Sequence, residues 1–244
     1  MIGMKTAGSP RNRRSMEEVA AMSERRRDPE ATLAAILEEG VILCVRLGED
    51  DLVLKACRAA LRGGLRVLEV TLTTPGALDI IERLAAEGEG VVGGGTVLTV
   101  EDARNVAAAG GRFALSPVFD PDVVEEAERL GLLAVPGAAT PAEILRAHRH
   151  GARLVKVFPA RALGGPDFLR AVRGPLPNIP LAATSGPSST DLADYFAAGA
   201  AAVGVGGEVF HPGFTTESVA GAAAKVQQAV RAYRATLRAD SHSQ

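Results

Sequence analysis

Residues 41–95 read VILCVRLGEDDLVLKACRAALRGGLRVLEVTLTTPGALDIIERLAAEGEGVVGGG. A short apolar run, VILCVR (41–46), turns through charged residues into DLVLKACRAALRGG (51–64). There apolar side chains recur at helical spacing, and a Gly pair closes the segment. The pattern repeats as RVLEVTL (66–72) before GALDIIERLAAEG (76–88), and begins again at GVVGGG (90–95). Further along, the same apolar runs return as RFALS (112–116), LLAVP (132–136), RLVKVF (153–158), IPLAAT (179–184) and AAVGVG (201–206). Helix patterns separate them, and Thr140-Pro141-Ala142-Glu143 carries the cap, first-turn proline and third-position carboxylate of a helix start. Strands alternating with helices imply parallel βαβ units. Eight such units in roughly 200 residues predict an α/β protein with a (β/α)8 barrel. A helix over about residues 29–39 is expected to plug its base. An open doubly wound sheet is the alternative, but it would carry a dinucleotide glycine signature after its first strand, and Arg46-Leu47-Gly48 is not one.

The whole chain agrees with a single barrel. It has 244 residues, 47% apolar and 23% charged, enough for one sizeable core. The domain division is a polar, flexible segment over 1–28, one barrel domain over 29–237, and a disordered tail over 238–244. With a net charge of −2 there is no cationic field for nucleic acid. No apolar run reaches the about 20 residues of a membrane span, and residues 1–30 lack the apolar stretch of a secretory signal. A cytoplasmic protein is expected, although the Arg-rich start leaves organelle import open. Two cysteines, Cys44 and Cys57, rule out a disulfide scaffold and four-ligand zinc modules.

In a barrel strand alternate residues face the axis and the helices. This alternation sends Ile42, Cys44 and Arg46 inward from the first strand. It sends Val67, Glu69 and Thr71 inward from the second, and Leu154, Lys156 and Phe158 from the sixth. Three strands thus aim an ionisable group at the axis, near the carboxyl ends where barrel sites lie. A buried ion pair that merely fixes packing is the rival explanation of Lys156 and Glu69. Yet arginine supplies nearly all the positive charge, and only four lysines occur: Lys5, Lys55, Lys156 and Lys225. Arginine is the usual buried ion-pair partner, so a lysine inside an apolar strand suggests that the amine itself is required. Only an amine can shed its proton and attack a carbonyl. Burial and a nearby Arg46 would favour that neutral form. Glu69 would then move protons as a general acid/base.

Glycine-rich turns end three units. Gly93-Gly94-Gly95-Thr96 closes the third; Thr184-Ser185-Gly186 closes the seventh; Gly204-Val205-Gly206-Gly207 closes the eighth. The last two stand where barrels often hold phosphate on backbone N–H groups. Glu208 follows directly, and a carboxylate there repels a phosphate unless it points away.

GGLRVLEVTLTTP, VVGGGTVL, FALSP, VPGAATPAE and LVKVFPA follow in order the motifs of the class I 2-keto-3-deoxy-6-phosphogluconate aldolases. That family also includes 4-hydroxy-2-oxoglutarate and 2-keto-3-deoxy-6-phosphogalactonate aldolases. The resemblance covers roughly residues 33–235. It implies a barrel, commonly homotrimeric, that needs no metal or other cofactor. Lys156 resembles the Schiff-base lysine and Glu69 the proton-moving carboxylate. Thr96 matches the hydroxyl beside the pyruvyl carboxylate, and Arg46 an arginine ending the first strand. Phe158 and Pro117 match walls of the pyruvyl pocket. Thr184, Ser185, Gly186, Gly206 and Gly207 fall where the family binds the phosphate end. The implied reaction cleaves a 2-keto-3-deoxy sugar acid, with 2-keto-3-deoxy-6-phosphogluconate giving pyruvate and glyceraldehyde 3-phosphate. Other members' substrates, and unphosphorylated 2-keto acids, are alternatives.

Three departures bear on the tail of the substrate. Thr73 stands where some members have arginine. The Thr-Gly-Gly turn is Thr184-Ser185-Gly186, and Gly207-Glu208 replaces a loop that often holds serine. A diphosphate- and metal-using barrel of the thiamin phosphate synthase kind would need a second carboxylate near Glu69, and none is evident. A non-catalytic phosphate-binding barrel has no use for an inward Lys and Glu together. His148, His150 and His211 read as surface residues, Cys44 as an inward residue beside the active centre, and Cys57 as helix core.

Overall fold

A computed structural model describes residues 27–48 and 50–241. Helix α1 (Pro29–Glu39) leads into β1 (Val41–Val45) and α2 (Asp50–Arg62). Then come β2 (Val67–Thr71), α3 (Ala77–Glu87), β3 (Val91–Gly95), α4 (Val100–Ala108), β4 (Phe113–Leu115) and α5 (Pro121–Arg129). The second half runs β5 (Leu133–Val135), β6 (Gly137–Ala138), α6 (Pro141–Arg149), β7 (Val155–Val157) and α7 (Pro166–Arg173). It ends with β8 (Leu181–Ala183), α8 (Leu192–Ala197), β9 (Ala202–Val205) and α9 (Thr216–Ser241). All strand pairs are parallel, in the order β5-β4-β3-β2-β1-β9-β8-β7-β6.

The nine strands make the eight predicted barrel positions, because β5 and β6 are one strand interrupted at Pro136. Proline has no N–H to give a ladder, so pairing passes from β4 on one side of the break to β7 on the other. Phe113 pairs with Leu133, while Gly137 pairs with Lys156. The Lys156 N–H donates to Pro136 O at 2.8 Å, carrying the ring across the gap. Gly137 fits there because a Cβ would lie 2.2 Å from Pro117 C and O.

Alternation sorts the core into two bodies. Val41, Leu43, Val45, Leu68, Val70, Val155 and Val157 pack with the helices. Ile42, Val67, Phe113, Leu115, Leu133, Val135 and Leu154 fill the interior. Ile36 of α1 belongs to the interior group, so this helix does plug the base. Asp28 caps α1, accepting from the N–H groups of Glu30 and Ala31, with Pro29 in the first turn and left-handed Gly40 (φ 74°) closing it. Thr99 with Asp102 and Thr140 with Glu143 form reciprocal capping boxes on α4 and α6. Each buried large aliphatic or aromatic side chain contributes about 1.5–3 kcal/mol, so the two bodies hold the scaffold firmly.

The domain boundary at 237 falls inside α9, which runs to Ser241. The helix is amphipathic and continues past the barrel, so residues 238–241 are helical rather than part of a disordered tail. Residues 1–26 of the polar segment and 242–244 of the tail lie outside the described residues. None of the described helices is long and apolar enough to cross a membrane.

Candidate active site

Cys44 of β1, Glu69 of β2 and Lys156 of β7 meet at the carboxyl side of the interior. Register sets Cys44 opposite Glu69 and Glu69 opposite Gly93. Lys156 Nζ stands 3.9 Å from Glu69 Oε1, and both side chains are nearly sealed, at 7% and 1% exposure. That is an ion-pair distance, too long for a hydrogen bond. Among the described residues Glu69 Oε1 has no hydrogen-bond partner although it is buried. A buried acceptor without a partner is costly, and its persistence marks a functional position. The Phe158 ring lies 5.0 Å from Lys156 Nζ, walling one side of the amine.

The third strand leaves space for the carboxylate. A Cβ on Gly95 would lie 2.1 Å from Glu69 Oε1. The chain after Gly95 turns at Thr96, whose backbone is left-handed (φ 58°). For a β-branched residue this is a strained conformation, of the kind held at binding sites. Thr96 Oγ1 accepts from Arg46 Nη2 at 3.3 Å. Arg46 itself leaves the interior and lies exposed at the mouth.

Burial raises the carboxyl pKa of Glu69, while Lys156, Arg46 and a hydrogen bond from Cys44 each pull it back. The Cys44 thiol is pushed up to about 12, by burial first and then by the Glu69 charge, so it remains an S–H donor. Sequence reasoning placed Cys44 beside the site but not its thiol opposite the Glu69 carboxylate. The signal was available in register, since equivalent inward positions on neighbouring strands face each other.

A cavity of about 880 Å³ opens above the pair. Lys156, Glu69, Arg46 and Phe158 line one part of it. Thr184, Ser185, Gly186, Gly206 and Gly207 line the rest, together with Cys44, Arg161 and Glu208. Thr96 and Pro117 are not part of the cavity wall. Thr184 Oγ1 donates to Val157 O at 3.4 Å, and Ser185 is left-handed (φ 62°). Gly206 keeps the end of β9 close to β1, since a Cβ there would lie 2.8 Å from Cys44 O. His148, His150 and His211 are exposed, as expected, and Cys57 is buried in α2.

The far end of the cavity holds charges that motif reading passed over. Arg161 Nη2 donates to Gly186 O and, at 2.8 Å, to Asp191 Oδ2. Asp191 Oδ1 accepts from Ser188 N at 2.7 Å and Ser188 Oγ at 2.8 Å. Glu208 accepts from Ser189 N and Ser189 Oγ, each at 2.7 Å. Among the described residues no group of three or more His, Cys, Asp or Glu is arranged to hold a metal ion.

A family model for KDPG and KHG aldolases matches residues 33–228. Over 139 residues the chain is 38% identical to a 2-dehydro-3-deoxy-phosphogluconate aldolase of Pseudoalteromonas atlantica, covering 57% of this chain and 65% of that one. Over 158 residues it is 38% identical to a protein of the same name from Treponema pallidum, covering 64% and 75%. These curated relatives are therefore matched over 65% and 75% of their own length. Among solved structures, a KDPG aldolase from Legionella pneumophila, with pyruvate captured as a covalent carbinolamine intermediate, superposes at a TM-score of 0.71 and 30% identity. That match covers 84% of this chain and 98% of the other.

Proposed function

The chain belongs to the KDPG and KHG aldolase family, and from that premise we propose that it is a metal-independent class I aldolase that splits a 2-keto-3-deoxy sugar acid into pyruvate and an aldehyde. 2-Keto-3-deoxy-6-phosphogluconate, the substrate its relatives are named for, gives glyceraldehyde 3-phosphate as the aldehyde. The reading is carried by one observation: an amine and a carboxylate oxygen that accepts no hydrogen bond sit 3.9 Å apart, buried at the foot of an open cavity.

The Lys156 amine adds to the C2 ketone, and the carbinolamine loses water to give an iminium. Arg46, with Thr96 beside it, holds the substrate carboxylate at the mouth and orients the ketone toward Nζ. Glu69 accepts the C4 hydroxyl proton, directly or through a water. The C3–C4 bond then breaks, its electron pair moves into the iminium, and the aldehyde departs from an enamine. Glu69 returns the proton to C3, and one water hydrolyses the resulting iminium to free pyruvate and the amine. A carboxyl whose pKa is raised by burial suits both directions of this transfer. Phe158 keeps bulk water from the iminium face.

Borohydride added with pyruvate attaches a reduced pyruvyl group to Lys156, read by peptide mass. Lys156→Arg abolishes both that adduct and turnover, and a variant that still cleaves substrate at the normal rate overturns the mechanism. Glu69→Gln lowers kcat by about 10²–10⁴-fold, the usual worth of a positioned acid/base. EDTA leaves the rate unchanged.

We also infer a cytoplasmic homotrimer. Its support is the family habit together with exposed Leu98 and Val118 on the loops after β3 and β4.

A further inference from the structure

We propose that Glu208 makes the distal end of the cavity select an uncharged, hydroxyl-bearing tail over a phosphate. This rests on the aldolase reading and names the class of substrate tail that the site prefers.

The segment after β8 has the small residues and turns of an anion cradle, but the backbone donors of Ser188 and Ser189 are already engaged by carboxylates of this chain. Ser188 N–H is held by Asp191 and Ser189 N–H by Glu208, each at 2.7 Å. The Ser189 hydroxyl also donates to Glu208. Arg161, the cation lining this end, is bound by Asp191 and Gly186 O. Arg161 is thus ion-paired with Asp191, while Glu208 adds a negative charge to the cavity wall. A phosphate dianion arriving here meets the charge of Glu208 and finds the Ser188 and Ser189 N–H groups occupied.

A sugar hydroxyl meets the opposite situation. An ionised carboxylate has about four acceptor sites, and Ser189 uses two of those on Glu208. The rest, on a residue that lines the cavity, can accept from hydroxyl groups, whereas a phosphate monoester is mostly dianionic at neutral pH and seldom has a proton to give. Glu208 thus rewards a polyol tail and penalises an anionic one. The pyruvyl half of the site is unaffected, so the phosphorylated acid is still cleaved, at a raised KM.

The test compares kcat/KM for 2-keto-3-deoxygluconate and its 6-phosphate in the wild type and in Glu208→Gln. Glutamine keeps an acceptor for the Ser189 N–H, turns the second oxygen into an NH2 that can donate to the Ser189 hydroxyl, and removes the charge. The wild type should favour the unphosphorylated acid, and Glu208→Gln should shift the ratio toward the phosphorylated one by about tenfold or more, through KM. Raising the ionic strength should lower the wild-type KM for the phosphorylated acid, because Glu208 is only half-buried and its repulsion is open to screening, and should have little effect in Glu208→Gln. A wild type that prefers the phosphorylated acid, with a ratio unmoved in Glu208→Gln, overturns the proposal. Borohydride trapping of pyruvate on Lys156, run on the same preparations, reports the Schiff-base chemistry alone. Trapping with an unmoved ratio removes only the role of Glu208, whereas no trapping removes the aldolase reading itself.

Discussion

At Glu69 four influences compete, and their order sets how the site should respond to pH. Burial favours the neutral acid; Lys156, Arg46 and the Cys44 S–H favour the carboxylate. The base that accepts the C4 hydroxyl proton must be ionised, so kcat/KM falls on the acid side as Glu69 takes up a proton. With its thiol pushed up to about 12, Cys44 keeps its proton throughout the working range. Replacing Cys44 by Ala deletes that donor, destabilises the carboxylate and moves the acid limb of the profile to higher pH. Cys44→Ser restores a donor and should bring the limb back. A packing role alone would lower the rate in Cys44→Ala without displacing the profile, so coincident limbs in the wild type and Cys44→Ala would dismiss the bond as a control on Glu69. A displaced limb would make Cys44 a positioning residue that acts through Glu69.

At the scale of elements, the barrel is closed by a broken strand. Pro136 supplies a carbonyl to Lys156 N–H but no donor of its own, and Gly137 lets the next residue pass against Pro117. Gly137→Ala forces a Cβ to 2.2 Å from Pro117 backbone atoms. Backbone cannot step aside as a flexible side chain can, so this overpacking should cost roughly 1–3 kcal/mol, measurable as a lowered urea midpoint with unchanged slope. A midpoint equal to wild type would mean that the closure tolerates a wider gap. Runs such as RVLEVTL and RLVKVF made the strands legible, because period-two alternation fixed which side chains face the axis. It put Glu69, Lys156 and Cys44 together before any coordinates. The break at Pro136 was not legible as a break, since LLAVP reads as one strand. Arg161, Asp191 and the Ser189–Glu208 bonds were illegible for another reason. They join loops 19 or 30 residues apart, and no periodicity governs the path of a loop.

On the scale of the whole molecule, the two ends of the barrel expose different surfaces. The base is filled by α1, which Arg153 ties to α5 through Glu30 and Glu128. Around the mouth, Gly95 and Leu115 are register partners, and three residues beyond each stand Leu98 and Val118. They are 46% and 51% exposed, so two large apolar side chains stand in solvent on adjacent loops. Leu78, at the start of α3 after the neighbouring β2, is 37% exposed and extends the same side of the mouth. Lys156, Glu69 and Glu208 all come from a single chain, so a trimer need not complete the site; it would cover this apolar arc. A three-fold ring buries one patch against a different patch of the next copy, and a charge within either patch is desolvated without a partner. Leu98→Asp should therefore convert trimers into monomers by sedimentation velocity. The monomer should still form the borohydride adduct on Lys156, because the Lys156–Glu69 pair lies in the interior. Wild-type protein that sediments as a monomer would dispose of the trimer. Loss of the adduct on dissociation would show instead that a neighbouring copy holds the mouth in its working shape.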